Sequence, residues 1–211
     1  MATAMAGRVP PAIVDIPLEP SGGLDMNDAQ QDFIYARLMT LNTAGFNGHL
    51  LASIVSAWVC NGGALPAWLG LLQDSFEKLL SSYFPGCQPL FTIPPKEMLD
   101  HNRMPEWPEL VTLLQEERAG KEEAELWWAE IVAAACIGMD HLWQDLGLRS
   151  RKDLGELLHR NFPALAARNV HDMKWKKFLY KQLCEKEGIY LCRAPSCEQC
   201  GDYRNCFGSE E

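Results

Sequence analysis

The stretch Met173-Lys-Trp-Lys-Lys-Phe-Leu-Tyr-Lys-Gln-Leu-Cys-Glu-Lys-Glu187 spaces its large apolar residues three and four apart. On a helix of about 3.6 residues per turn, Trp175, Phe178, Leu179 and Leu183 form one stripe. Lys174, Lys177 and Lys181 fall on another face, and Gly188 is the residue type that ends such a helix. A helix with one apolar stripe needs a body to bury it against, so the rest of the chain is read for partners.

The same period recurs upstream. A long helix is expected from about 121 to 145, with Leu126, Trp127, Ile131, Ala134, Ala135, Gly138 and Leu142 at helical spacing. Ser150 with Asp153 opens another amphipathic helix carrying Leu154, Leu157 and Leu158. Asn161-Phe162-Pro163 interrupts it, and a short helix follows to Asn169. Further back, a helix over about 106–119 stops at Gly120. Asn27 followed by Gln30 resembles a capping box, opening a helix to about Asn42 with Ile34, Leu38 and Leu41 on one face. Two more helices are expected at about 47–60 and 66–83, the second starting at Pro66. Prolines 85, 89, 94 and 95 make Tyr83–Pro95 a loop. No period-2 strand pattern or internal repeat occurs. The expected fold is all-α: a compact multi-helix domain with a C-terminal cysteine-rich cluster-binding loop. The expected division is a disordered leader over 1–25, a helical domain over 26–187 and a metal-binding segment over 188–211.

Composition narrows the function. The 211 residues are 47% apolar, enough for a real core, and the net charge of −9 opposes general nucleic-acid binding. Charge is uneven: residues 97–130 hold ten acids against three bases, and 149–187 hold ten bases against five acids. The basic run has two readings, a solvated helix face or a surface for an anion or partner. The first 24 residues lack the compact apolar stretch of a secretory signal. Leu50 to Leu72 is uncharged, but Asn61-Gly62-Gly63 and Pro66 break its middle. Two short buried helices fit it better than one membrane span. A soluble cytoplasmic protein is expected.

Of eight cysteines, four crowd into Cys192-Arg-Ala-Pro-Ser-Cys197-Glu-Gln-Cys200-Gly-Asp-Tyr-Arg-Asn-Cys206, a C-x4-C-x2-C-x5-C array. A cubane cluster needs several thiolates converging on one small body, and short spacers with turn residues such as Pro195, Gly201, Asp202 and Asn205 allow it. Arg193 and Arg204 would offset the charge of an all-thiolate site. Zinc also accepts four cysteines, but structural zinc sites commonly pair two C-x2-C knuckles and only one occurs here. Disulfides suit exported chains with little core. Cys60, Cys87, Cys136 and Cys184 stand apart and read as core fillers, with Cys184 the one nearest the array. His141 is a candidate accessory ligand or proton donor, against the plainer reading of a hydrogen-bonded structural histidine. Trp127, Trp128, Trp143 and Trp175 read as packing rather than an electron path.

With the array placed after the lysine-rich helix, the last third resembles the NifQ family. The matching stretches are Asp140-His-Leu-Trp-Gln-Asp-Leu-Gly-Leu148, Phe162-Pro-Ala-Leu-Ala166, Met173 through Cys184, and the array closing on Cys206-Phe-Gly208. The likeness is firm over about 125–208 and looser upstream. It implies a molybdenum–iron–sulfur cluster on Cys192, Cys197, Cys200 and Cys206. It also implies a carrier that supplies molybdenum for the nitrogenase iron–molybdenum cofactor, with the assembly scaffold (NifEN) and the nitrogenase iron protein (NifH) as partners. Molybdenum itself comes from the resemblance alone. If it arrives as the molybdate dianion, Lys174, Lys177, Lys181, Arg193 and Arg204 are candidates to attract it locally or to meet a partner.

Two other classes compete. A DNA-repair glycosylase with a C-terminal iron–sulfur loop would need six residues in the first cysteine gap, a Gly-rich helical hairpin and a Lys/Asp pair, none of which can be placed. A zinc-stabilised helical interaction module would share the helices and cysteines and differ only in its metal. No Gly-rich phosphate loop, G-x-S-x-G elbow or H-E-x-x-H occurs, so no conventional enzyme is expected.

Overall fold

The computed structural model describes residues 26–87, 90–186, 188 and 203–207. The expected leader and the stretch holding Cys192, Arg193, Cys197 and Cys200 lie outside these residues. Among the described residues every regular element is a helix, and none is long and apolar enough to cross a membrane.

Helix α1 (Met26–Leu41) packs on α2 (Gly45–Val59), with Ile34 and Leu38 buried between them. The Asn27 amide donates to the Cys60 carbonyl at 3.2 Å, tying the start of α1 to the end of α2. Helix α2 is apolar almost all round and forms the centre of the core; Leu50, Leu51, Ile54 and Val55 have no exposed surface.

The expected helix from Pro66 is not continuous. Ala67–Gly70 forms a tight 3₁₀ turn in which Trp68 and Leu69 take left-handed backbone angles, and only Gln73–Tyr83 (α3) is α-helical. Burial explains the break. The Trp58 indole donates to the Pro66 carbonyl at 2.9 Å, Leu69 is fully buried, and Gly70 lies so close to Ala134 that a Cβ would stand 2.5 Å from its methyl. The chain turns here to let α5 approach.

Helices α4 (Trp107–Glu116) and α5 (Ala124–Ala135) pack together. Their link is closed by Glu125, a buried carboxylate that accepts from the amides of Gly120 (2.6 Å), Lys121 (3.0 Å) and Glu122 (3.3 Å). A buried carboxylate is tolerable when hydrogen-bond donors, here three loop amides ahead of α5, surround it. Across the core, the Trp128 indole donates to the Tyr83 hydroxyl at 3.1 Å.

The long helix expected over 121–145 is in fact two. Helix α5 ends at Ala135, and α6 is the single turn Leu142–Asp145. Helices α7 (Arg151–Asn161) and α8 (Pro163–Ala167) follow, and Ser150 caps α7 by accepting from the Asp153 amide at 3.2 Å, as expected. Helix α9 (Trp175–Lys186) lies across α4, burying Trp175, Phe178, Leu179 and Leu183. Gly188, at φ +72°, ends it. A last short helix, α10 (Tyr203–Phe207), carries the final cysteine.

Gly147 sits at φ +74° with its Cα against Ala57, so a Cβ there would stand 2.6 Å from the Ala57 methyl. Gly147→Ala is expected to cost about 3 kcal/mol, from left-handed strain plus overlap in a packed core. Chemical denaturation should show a lower midpoint with an unchanged slope.

Candidate metal centre

Helix α9 organises the site from its N-terminal end. The Lys174 amide, just ahead of the helix, donates to the Cys206 carbonyl at 2.8 Å. Cys206 and Phe207 are half-buried and pack against the core, while Arg204 is exposed. One of the four expected thiolate ligands is therefore seated on the helical body beside a lysine of the distinctive block. Cys192, Cys197, Cys200 and Arg193 lie outside the described residues.

The expected lysine face is only partly one surface. Lys177 and Lys181 are exposed, and Lys174 is half-buried. Lys181 pairs loosely with Glu185 at 3.6 Å, a solvated contact that contributes little. Cys184 is half-buried ten residues beyond Lys174, about 15 Å along the helix axis, too far to share a small cluster with Cys206. Cys60, Cys87 and Cys136 are buried core fillers, as expected.

The residue that sequence reasoning passed over is Lys176. Its ammonium donates to the Gly138 carbonyl (2.9 Å), the Asp140 carbonyl (2.8 Å) and the Asp145 carboxylate. All three ammonium protons are thus used, and the Asp145 side chain is only 4% exposed. The signal was available, because Lys176 lies four residues before Tyr180 at the edge of the apolar stripe, where a purely solvated lysine is unexpected.

This clip explains the break in the long helix. Residues 136–141 turn so that two carbonyls point at α9, and Gly138 permits it: a Cβ there would stand 2.3 Å from the Asp145 carboxylate. His141 is accordingly not inside a helix. It is half-buried at the N-cap of α6, where its amide donates to the Gln144 side chain at 3.2 Å. The Asp145 carbonyl accepts from the Ala64 amide at 2.8 Å, joining α6 to the loop that follows α2. A cleft of about 520 Å³ opens over it, lined by Gly63, Arg103, Gly138, Asp140 and Asp145.

Cys136 lies behind the clip, and burial pushes its thiol up to about 12, with Lys176 lowering it less and Asp145 raising it. Tyr180 is also pushed up to about 12, mainly by burial, with the charges of Cys136 and Glu106 adding to it. The buried Cys136 thiol stays protonated near neutral pH and is a poor ligand or nucleophile.

The described residues thus form an all-helical body that seats Cys206, the last cysteine of the four-cysteine array, at the start of a lysine-bearing helix. The comparisons with known proteins give the particular family. The NifQ family model matches residues 50–208, from within α2 through the whole array. The chain is 49% identical over 161 residues to Protein NifQ of Azotobacter vinelandii, covering 69% of this chain and 80% of that protein. It is 34% identical over 164 residues to Protein NifQ of Rhodobacter capsulatus, covering 77% and 88%. It is 40% identical over 142 residues to a NifQ homolog of Sinorhizobium fredii (strain NBRC 101917 / NGR234), covering 67% and 61%. No solved structure matches. The chain belongs to the NifQ family, and the match reaches well upstream of the last third on which the resemblance first rested.

Lys176→Met is expected to destabilise the fold by about 3–5 kcal/mol, because it leaves a buried carboxylate and two carbonyls without their donor; urea titration measures it. The titrations behind the clip have a definite sign. Both groups hold their protons more tightly folded than unfolded, so the stability they contribute is complete below about pH 9 and is lost as pH rises toward 12. Melting temperature should fall over that range, and less steeply in Tyr180→Phe.

Proposed function

We propose that this protein is a molybdenum carrier of nitrogen fixation. In this reading it binds an iron–sulfur cluster through Cys192, Cys197, Cys200 and Cys206 and supplies molybdenum for the nitrogenase iron–molybdenum cofactor. The observation that carries the reading is the family match through the whole C-x4-C-x2-C-x5-C array. The site's donor chemistry fits such a group. Cys206 offers a half-buried sulfur on a docked helix, and a closely spaced set of thiolates is the usual protein ligation for iron–sulfur clusters. The cluster, once bound, supplies sulfide ligands for molybdenum.

The chain's own residues do the rest. Lys177, exposed on the first turns of α9, and Arg204, exposed beside Cys206, supply local positive charge on a protein of net charge −9. Such a field draws in an incoming molybdate dianion and offsets the charge of four thiolates. Lys174 and Lys181 add to it, as does Arg193. His141 sits in the turn clipped by Lys176 and serves as an accessory proton donor or ligand. Delivery to the cofactor assembly scaffold and the nitrogenase iron protein would take place in the cytoplasm. The protein acts as a carrier rather than an enzyme with conventional turnover.

Protein purified without oxygen from cells grown with molybdate should contain iron and molybdenum, counted per chain by elemental analysis. Cys197→Ala should lose both while keeping its helical content. Zinc near one per chain, without iron or molybdenum, would replace the carrier with a zinc-stabilised interaction module.

A further inference from the structure

Helix α10 has five residues, too short to persist in water by its own hydrogen bonds. It is nonetheless seated on the body: the Lys174 amide donates to the Cys206 carbonyl, and Cys206 and Phe207 pack against the core. Arg204 and Asn205 are exposed. Helix α9 ends at Lys186, whereas Cys206 docks at its opposite end, beside Lys174. The two ends of this 12-residue helix lie about 18 Å apart, so α10 docks far from the point where α9 stops. A main-chain hydrogen bond is by itself a weak tether, and an aromatic ring packed on a core is a stronger kind of anchor.

We infer that Phe207 is a positioning residue for the metal site: it anchors α10 and so holds the Cys206 sulfur in place before any metal binds. This rests on the cluster reading proposed above. A ligand already held by the fold needs no ordering when iron arrives, so loading starts from a sulfur already in place.

The test uses the full-length, metal-free protein as wild type, Phe207→Ala and Phe207→Leu. Three quantities are followed: iodoacetamide alkylation at Cys206 by peptide mass, in native buffer and in urea; anaerobic uptake of ferrous iron and sulfide by visible absorption; and thermal unfolding. Wild-type Cys206 should alkylate severalfold more slowly in native buffer than in urea. Phe207→Ala should abolish that difference and slow iron uptake severalfold at an unchanged melting temperature, and Phe207→Leu should restore both. Equal alkylation of wild-type Cys206 in the two solvents, or full protection kept in Phe207→Ala, overturns the positioning role. A protected Cys206 that Phe207→Ala frees, in a protein that takes up no iron, upholds the positioning and sinks the cluster reading instead.

Discussion

The ammonium of Lys176 is the point on which the site end of the molecule turns. An amine in that half-buried place must find acceptors for all its protons, and it finds them in two carbonyls of the α5–α6 turn and the Asp145 carboxylate at the end of α6. Meeting that demand ends α5 at Ala135, sets α6 at right register to present Asp145, and requires glycine at 138. Helix α6 is fixed in the other direction by the Asp145 carbonyl, which accepts from the Ala64 amide. The Lys176 side chain thereby joins the start of α9 to the α5–α6 turn and α6, and the Asp145 carbonyl joins α6 to the loop that follows α2.

That joint gives the C-terminal cysteine a rigid platform. Lys174 and Lys176 are neighbours but use different groups: the first offers a main-chain amide to Cys206, the second its side chain to the core. The lysine-rich block thus divides its work. One lysine is structural, while Lys177 and Lys181 remain in solvent. Charge counting alone treats them as equivalent.

Much of this was legible in the residues. The all-helical class followed from apolar spacing in Met173–Glu187, and the stripe of Trp175, Phe178, Leu179 and Leu183 is the face that α9 buries. Ser150 with Asp153 gave the start of α7, because capping is a local interaction between residues three apart. The cysteine array and the Met-Lys-Trp-Lys-Lys block carried the family resemblance because both are contiguous patterns. Where periodicity misled, the cause was long-range. The helix drawn through Gly138 and the one drawn from Pro66 both have continuous apolar spacing, and both are broken by a close approach between distant segments.

What the sequence by itself determined is therefore the local chemistry: helix faces, caps, and four closely spaced thiols in a C-x4-C-x2-C-x5-C array. The tertiary structure decided which polar groups share a place. It took a lysine out of the solvated face and made it a buried clip, and moved His141 from a helix to a cap. It also set Cys206 at the start of α9 rather than at its nearer end. Local preferences depend on neighbours a few residues away, whereas burial of an ammonium or a sulfur depends on partners up to 38 residues distant, and only packing brings those together.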